Sequence, residues 1–170
     1  MQKKVVWFYG LPCSGKTTLA CALSDALEQQ GHRICMLDGD VLRTGLNSDL
    51  GFSDSDRCEN LRRAAHVASL VADLGLVVIA AFVTPAKHHR ALVRKVLDSQ
   101  QLLMVHVDCP LEVCMQRDVR GMYAKAKAGH MKNMTGLQDA FEVDSDNVLV
   151  LRTENTSVAE AIEKIMKVIL

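Results

Sequence analysis

The residues best suited to chemistry near the start of the chain lie in the stretch YGLPCSGKTT, residues 9–18. Gly10, Gly15, Lys16 and Thr17 complete the pattern G-x-x-x-x-G-K-[ST], and an apolar run leads into it. This pattern is typical of a loop whose backbone N–H groups bind phosphates, with the lysine at the β- and γ-phosphates and the hydroxyl on magnesium. It predicts a nucleoside triphosphate site and leaves the acceptor of the terminal phosphoryl group open. The expected contacts are Gly10, Cys13, Ser14, Gly15, Lys16, Thr17 and Thr18.

Two carboxylates, Asp38 and Asp40, follow a second apolar run in MLDGDVLR. One can hold a magnesium-bound water while the other accepts or orients a hydroxyl proton, and the sequence does not say which does which. A D-G dipeptide in a plain surface turn is the alternative. Motor proteins and GTPases usually carry an acid at the end of a buried strand to hold the magnesium shell, and the run LVVIAAF ends without one. The guanine-reading motif N-K-x-D is absent as well. Phosphoryl transfer to a hydroxyl is favoured, with Lys16, Asp38 and Asp40 catalytic and Thr17 and Asp38 holding Mg²⁺.

Basic residues gather in two further stretches. In LGFSDSDRCENLRRAAHVA, Arg57 and Asn60 share a helix face and could bind an anionic acceptor, with Phe52 stacking on a ring. A solvated basic helix face is the alternative. Residues 117–133 carry five basic residues and one acid with weak hydrophobic periodicity. They predict a mobile basic lid that shields the transfer from water, or else an ordinary exposed loop.

Hydrophobic patterning predicts the elements that position these residues. Apolar runs at 5–9, 34–37, 76–82, 102–107 and 148–151 predict buried strands. Helical periods occupy 17–29 and follow two capping boxes, Ser53-x-x-Asp56 and Ser157-x-x-Glu160. The last helix is expected to bury Val158, Ala161, Ile162, Ile165 and Ile169. Alternating strands and helices predict an α/β fold with a central parallel sheet of about five strands, covered on both faces. GLPCSGK, DGD and VTP should meet at its carboxyl edge.

Composition excludes several classes of function. The chain has 170 residues, with 20 Lys and Arg balanced by 20 Asp and Glu. This fits a single domain over 1–170 with no overall field to attract nucleic acid or an anionic membrane. No signal peptide or bilayer-spanning run is recognised. The six cysteines form no C-x-x-C pair, which favours buried free thiols in a reducing cytoplasm over disulfides or zinc.

Five stretches resemble the adenylyl-sulfate kinase family: GLPCSGKTT, LDGDVLRTGLNSDLGFSDSDRCENLRR, AFVTP, DCPLEVCMQRDVRGMYAKAKAG and KNMTG. The resemblance runs from about residue 5 to 141. It implies an enzyme that uses ATP and Mg²⁺ to phosphorylate a small nucleotide acceptor, the 3′-hydroxyl of adenosine 5′-phosphosulfate. It also implies a three-layer P-loop nucleotide-kinase fold, a lid at about 117–140 and a homodimer. The implied acceptor-binding residues are Asp40, Arg43, Phe52, Arg57, Asn60, Thr84, Lys132 and Met134, with Arg117 and the lid covering ATP.

Several features depart from the family pattern, among them GLQDAFE at residues 136–142 in place of GIDDPYE, and residues 84 and 134. Thr84 replaces the usual serine, and Met134 replaces a phenylalanine that is one of two rings sandwiching adenine. A thioether can still pack on a base. Kinases of this kind that act on another nucleotide, such as cytidine diphosphoramidate, supply the alternative acceptor. A regulatory nucleotide switch is disfavoured by the paired acids, and an inactive scaffold by the retention of Lys16.

Overall fold

Five parallel strands form a single sheet in this computed structural model, which describes residues 3–97, 99–143 and 148–170. The strands are β1 (Val5–Tyr9), β2 (Ile34–Asp38), β3 (Val77–Ala81), β4 (Leu102–Asp108) and β5 (Leu149–Arg152). Their order across the sheet is β2-β3-β1-β4-β5, with β1 hydrogen-bonded between β3 and β4. The prediction of a central parallel sheet of about five strands is confirmed.

Helices cover both faces of the sheet. They are α1 (Lys16–Glu28), α2 (Gly39–Leu42), α3 (Asp54–Asp73), α4 (Lys87–Val96), α5 (Leu111–Arg117), α6 (Met122–Lys127) and α7 (Val158–Ile169). Alternate residues of β1 point to opposite layers: Trp7 packs with apolar residues of α3 and α4, and Phe8 with those of α1 and α7. The fold therefore has three layers, and β1 is buried on both faces.

Capping residues fix where two of the long helices begin. Ser53 accepts a 3.1 Å hydrogen bond from the Asp56 N–H, and Ser157 accepts one from the Glu160 N–H while the Glu160 carboxylate accepts from the Ser157 N–H. Both predicted helix starts are confirmed. The expected burial of Val158 is wrong: this first residue of α7 is 41% exposed and lies at the rim of the cavity described below.

All six cysteines are free thiols, as expected, but only Cys109 and Cys114 are buried. Cys21 lies on the exposed side of α1, and the other three are half-buried. Among the residues that the structure describes, no helix has both the length and the apolar character needed to cross a membrane.

Candidate active site

The phosphate loop runs from the end of β1 to the start of α1. Gly10 has a φ of 153°, and a Cβ there would lie 2.4 Å from the Val107 carbonyl oxygen, so only glycine lets the loop pass β4 so closely. The Lys16 ammonium donates to the carbonyls of Gly10 at 3.1 Å and Leu11 at 2.7 Å. Burial lowers the pKa of Lys16 to about 8. The lysine is thus held across the loop.

The two acids at the end of β2 have different surroundings. Asp38 uses one carboxylate oxygen to accept from the Thr17 hydroxyl at 3.1 Å and the other to accept from the Asp40 N–H at 2.8 Å. The Asp40 side chain is 64% exposed and forms an ion pair with Arg120. The pair lies beside the phosphate loop and not in an isolated surface turn. Asp38 is fixed to that loop, whereas Asp40 contacts the segment that follows α5.

Two arginines surround Phe52, the residue just before the capped start of α3. Arg43 donates to the carbonyls of Leu50 at 3.0 Å and Gly51 at 2.8 Å, and its guanidinium lies 4.3 Å from the Phe52 ring centroid. Arg57 donates to the Phe52 carbonyl at 3.2 Å and to the Asn133 carbonyl at 2.7 Å. These cations therefore order the segment around Phe52, which itself is 52% exposed.

The alternative of a solvated basic face fits other residues of α3. Arg62 and Arg63 both pair with Glu59, and Arg63 also pairs with Asp49. Their guanidinium groups are neutralised on the outside of the helix, away from the cavity. Arg57, Arg62 and Arg63 are neighbours in the sequence, but only Arg57 lines the cavity.

Asn60 and Thr84 are buried polar residues in the wall of the site. Asn60 accepts a 2.8 Å hydrogen bond from the Asn47 side chain, and both are nearly inaccessible to water. The Thr84 hydroxyl accepts from the Trp7 indole N–H at 3.1 Å. Sequence reasoning missed Asn47, because an asparagine in a polar stretch such as LNSDLGFS gives only a weak signal of burial.

Residues 117–133 pack more closely than an ordinary exposed loop. Tyr123 of α6 donates to the Pro12 carbonyl of the phosphate loop at 2.9 Å, and Asp118 accepts from the Tyr123 and Ala124 N–H groups. Met134 is only 3% exposed and packs with Cys109, Cys114, Tyr123 and Ala126. This segment, with its own small core, covers one side of the phosphate loop.

Arg117 and Thr153 both contact the phosphate loop at the Ser14 carbonyl. Arg117 donates to the Thr153 carbonyl at 3.0 Å and to the Ser14 carbonyl at 3.3 Å. The Thr153 hydroxyl donates to the same Ser14 carbonyl at 2.8 Å. Thr153 and Arg120 are site residues that sequence reasoning missed: Thr153 lies in a plain polar stretch after β5, and Arg120 is one of several basic residues in its segment.

One cavity of about 620 Å³ brings most of the predicted residues together. It is lined by Cys13, Gly15, Lys16, Thr17, Thr18, Asp38, Asp40, Arg43, Phe52, Arg57, Asn60, Thr84, Arg117, Lys132 and Met134. Gly10 and Ser14 do not line it, because Gly10 lies against Val107 and the Ser14 side chain is fully buried. Six basic and two acidic side chains face the cavity, a balance that suits anionic ligands.

The sheet order, the phosphate loop after β1, the paired acids after β2 and the basic covering segment define a kinase of the P-loop fold. A volume of this size accommodates small-molecule ligands, and the lining is continuous from Lys16 to Phe52.

Comparison with known proteins specifies the family. The Adenylylsulphate kinase family model matches residues 2–152. An adenylyl-sulfate kinase of Marinobacter nauticus is 44% identical over 162 residues, which cover 95% of this chain and 81% of that protein. One of Enterobacter sp. strain 638 is 52% identical over 81% of this chain and 69% of its own length. The Mycobacterium tuberculosis APS kinase in complex with AMPPNP and APS superposes with a TM-score of 0.93 at 41% identity, over 98% of this chain and 96% of that one. The chain belongs to the adenylylsulphate kinase family.

Proposed function

We propose that the protein transfers the γ-phosphoryl group of ATP to the 3′-hydroxyl of adenosine 5′-phosphosulfate. The observation that carries the proposal is the single cavity that joins the phosphate loop to the Phe52, Arg57 and Asn60 wall. The related Mycobacterium tuberculosis enzyme was solved with an ATP analogue and APS together. Family membership and a cavity lined for two anionic ligands support the same reaction here.

The ATP end of the cavity comprises the phosphate loop and its two flanking contacts. The loop N–H groups and the positive N-terminus of α1 would bind the β- and γ-phosphates, with the Lys16 ammonium between them. Arg117, already held by the Ser14 and Thr153 carbonyls, would cover the nucleotide. Because Cys13, Gly15 and Thr18 line the cavity as well, the phosphates would be contacted from several directions.

Thr17 and Asp38 would hold Mg²⁺. Their oxygens lie 3.1 Å apart in the lining of the cavity, and oxygen ligands are those that Mg²⁺ prefers. When bound, Mg²⁺ would neutralise charge on the transferring phosphates. The Asp38 carboxylate is held in place by the Asp40 N–H, so the ligand oxygens are positioned by the backbone of α2.

Asp40 is the better candidate for the proton acceptor. Both Asp38 oxygens are occupied by fixed donors, whereas Asp40 has an exposed side chain whose partner, Arg120, belongs to the covering segment. In the proposed reaction the acceptor 3′-oxygen bonds to the γ-phosphorus as the bond to the β–γ bridging oxygen breaks. Asp40 takes the hydroxyl proton, ADP leaves, and Arg120 would be free to turn toward the phosphates.

The acceptor end would bind the nucleotide between Phe52 and Met134. Phe52 is 52% exposed and lines the cavity; Met134 also lines it, although it is only 3% exposed, and a thioether can pack on a base. Arg43, Arg57 and Lys132 contribute positive charge for the phosphosulfate. Asn60 has its oxygen occupied by Asn47, which leaves its N–H₂ group as the donor available to the ligand. Thr84 completes the wall beside Asn60.

We also propose that residues 1–170 form one kinase domain with a lid at about 117–140. The protein would be a homodimer in the cytoplasm. The core around Met134 and Tyr123 supports a lid that moves as a unit. Leu70 and Leu74, at 67% and 73% exposure near the end of α3, support an apolar subunit contact. Light scattering after size exclusion tests the dimer.

One assay tests the proposed reaction. The purified protein is given ATP and Mg²⁺ with adenylyl sulfate or with cytidine diphosphoramidate, and ADP formation and the phosphorylated product are measured. We expect turnover of adenylyl sulfate, abolished in Lys16→Ala, which controls for contaminating kinases. Turnover of the cytidine compound alone would overturn the choice of acceptor and leave the kinase chemistry intact.

A further inference from the structure

Four side chains with metal-binding atoms meet outside the active-site cavity. Asp54 and Cys58 belong to the first turns of α3, and His88 and His89 to the first turn of α4. One ligand atom from each lies within 4.8 Å of all the others. None of the four lines the cavity that we assign to ATP and its acceptor.

The helix starts bring these atoms together. Asp54 and Cys58 are four residues apart, so they share a face of α3. The rings of His88 and His89 have centroids 4.2 Å apart and converge on the same carboxylate. The Nε2 atom of His88 lies 3.0 and 3.2 Å from the two Asp54 oxygens, and that of His89 lies 3.0 Å from Asp54 Oδ1.

His89 is the most buried of the four residues. Its side chain is 1% exposed, and its buried Nε2 atom makes no well-formed hydrogen bond, although it lies 3.0 Å from Asp54 Oδ1. Buried polar atoms nearly always have a partner, so an unpaired one calls for an explanation.

We propose that Asp54, Cys58, His88 and His89 form a binding site for a divalent transition-metal ion, best suited to zinc. Two imidazole nitrogens, one thiolate and one carboxylate oxygen make a four-ligand set of the kind that binds Zn²⁺ tetrahedrally. The ion replaces the proton of the Cys58 thiol, and this proton leaves to solvent. The sequence shows no metal-binding motif here, because the ligands come from two helices that are distant in the chain.

Ligation also changes the first turn of α4. Without metal, His89 Nδ1 accepts from the Ala86 N–H at 3.3 Å, which places the ring proton on Nε2. Metal binding at Nε2 moves this proton to Nδ1, so the Ala86 contact is given up. At 3.3 Å that hydrogen bond is a long one, so its loss should cost little.

Bound metal would link two walls of the proposed acceptor site. Cys58 directly follows Arg57, and Thr84 and Pro85 lie just before α4. The ion would therefore fix the start of α3 against the start of α4. We expect zinc to raise the melting temperature of the intact protein, because it binds the folded chain and not the unfolded one.

Cobalt substitution tests the site directly. The full-length protein is stripped with a chelator and titrated with Co²⁺ in excess Mg²⁺, so that any oxygen site at Thr17 and Asp38 stays occupied. The thiolate-to-cobalt charge-transfer band is recorded, and Zn²⁺ affinity is measured by competition. We expect a tetrahedral cobalt spectrum whose charge-transfer band disappears in Cys58→Ser. In His88→Ala, Zn²⁺ affinity should fall by more than about 100-fold, since even outer-shell partners cost about 10- to 100-fold.

Two matched variants control for other thiols and imidazoles. Cys21→Ser removes an exposed cysteine on α1, and His66→Ala removes an exposed histidine on α3 itself. Both should keep the wild-type spectrum and affinity. A charge-transfer band that persists in Cys58→Ser, equal losses in the controls, or no cobalt binding by the wild type would each overturn the proposal. Cys58 and His88 are partly exposed, so their replacement should leave the fold intact.

Discussion

The Thr17 hydroxyl donates a 3.1 Å hydrogen bond to the carboxylate of Asp38. Thr17 opens α1 directly after the phosphate loop, whereas Asp38 ends β2, which lies two places from β1 in the sheet. The other Asp38 oxygen accepts from the Asp40 N–H. These two hydrogen bonds therefore fix the position of the paired acids relative to the phosphate loop.

Replacing Lys16 with alanine should remove most of the activity and leave the fold intact. The ammonium lies across the phosphate loop, where it would stabilise charge on the transferring phosphates, and one such interaction is worth about 100- to 1000-fold in kcat. Steady-state kinetics and the melting temperature check this. Lys164→Ala, on the exposed face of α7, is the control and should match the wild type. A folded Lys16→Ala protein with full activity would contradict the phosphate-loop assignment.

Asp40 and Asp38 should respond differently to replacement by asparagine. If Asp40 takes the acceptor proton, Asp40→Asn should lower kcat by about 100-fold or more with little change in ATP affinity. Asp38→Asn should instead raise the Mg²⁺ concentration needed for half-maximal activity, because Asp38 contacts Thr17. Asp25→Asn, exposed on α1, serves as the control. The opposite pattern, with the metal defect in Asp40→Asn, would exchange the two roles.

ATP binding should take up a proton in mildly alkaline solution. The pKa of Lys16 is lowered from 10.5 to about 8 by burial, so between these values the folded free protein holds fewer protons there than the unfolded chain. The cost of the buried charge is present at neutral pH and is relieved as pH rises through that window. Bound phosphates favour the charged lysine and raise its pKa again.

Calorimetry in two buffers of different ionisation enthalpy, at about pH 9, measures this proton uptake. Lys16→Arg is the matched variant, since an arginine stays charged throughout this range. We expect the uptake to disappear in Lys16→Arg. An unchanged uptake in that variant would assign the proton to another group.

Asn47→Ala should weaken acceptor binding without touching the ATP end. Asn47 fixes the Asn60 amide by a 2.8 Å hydrogen bond, and both side chains are buried. Leaving the Asn60 oxygen unpaired should lower the free energy of unfolding by about 1–3 kcal/mol. The KM for the acceptor should rise while the KM for ATP stays the same. Equal changes in both KM values would indicate a general loss of structure.

Local patterns predicted most of the fold and the ATP end of the site. The strands and capped helices were recognisable because burial on both faces of a parallel sheet gives continuous apolar runs, and serine caps mark helix starts. Lys16 and Thr17 follow from a motif whose spacing is set by the loop itself. Such features depend on residues close together in the chain.

Long-range contacts account for what the sequence did not predict. Arg120 meets Asp40, and Thr153 meets Ser14, across wide separations in the chain, and the cluster of Asp54, Cys58, His88 and His89 assembles from two helices. Val158 follows helical periodicity yet lies at the cavity rim, because periodicity indicates a face of the helix and not how far the core extends. Arg57 and Arg62 look alike in the sequence, and only packing separates the one in the cavity from the one on the surface.

We predict that Met134 and Phe52 together decide which base the acceptor carries. Stacking on one aromatic face is worth about 1–3 kcal/mol per base. Phe52 supplies such a face, so Phe52→Ala should lower kcat/KM for either acceptor and serves as the control. Met134 packs in a small core with Cys109, Cys114, Tyr123 and Ala126, and it lines the cavity.

If the acceptor is adenylyl sulfate, Met134→Phe should leave kcat/KM unchanged or improve it, because a second ring would complete the sandwich around adenine. If the pocket is shaped for a pyrimidine, the larger ring should crowd it and lower activity on the cytidine substrate. Met134 is 3% exposed, and overpacking a core costs about 1–3 kcal/mol, so the melting temperature must be measured alongside the kinetics. We expect adenylyl sulfate turnover to be kept in a stable Met134→Phe protein. Its loss without a change in melting temperature would contradict an adenine sandwich at this position.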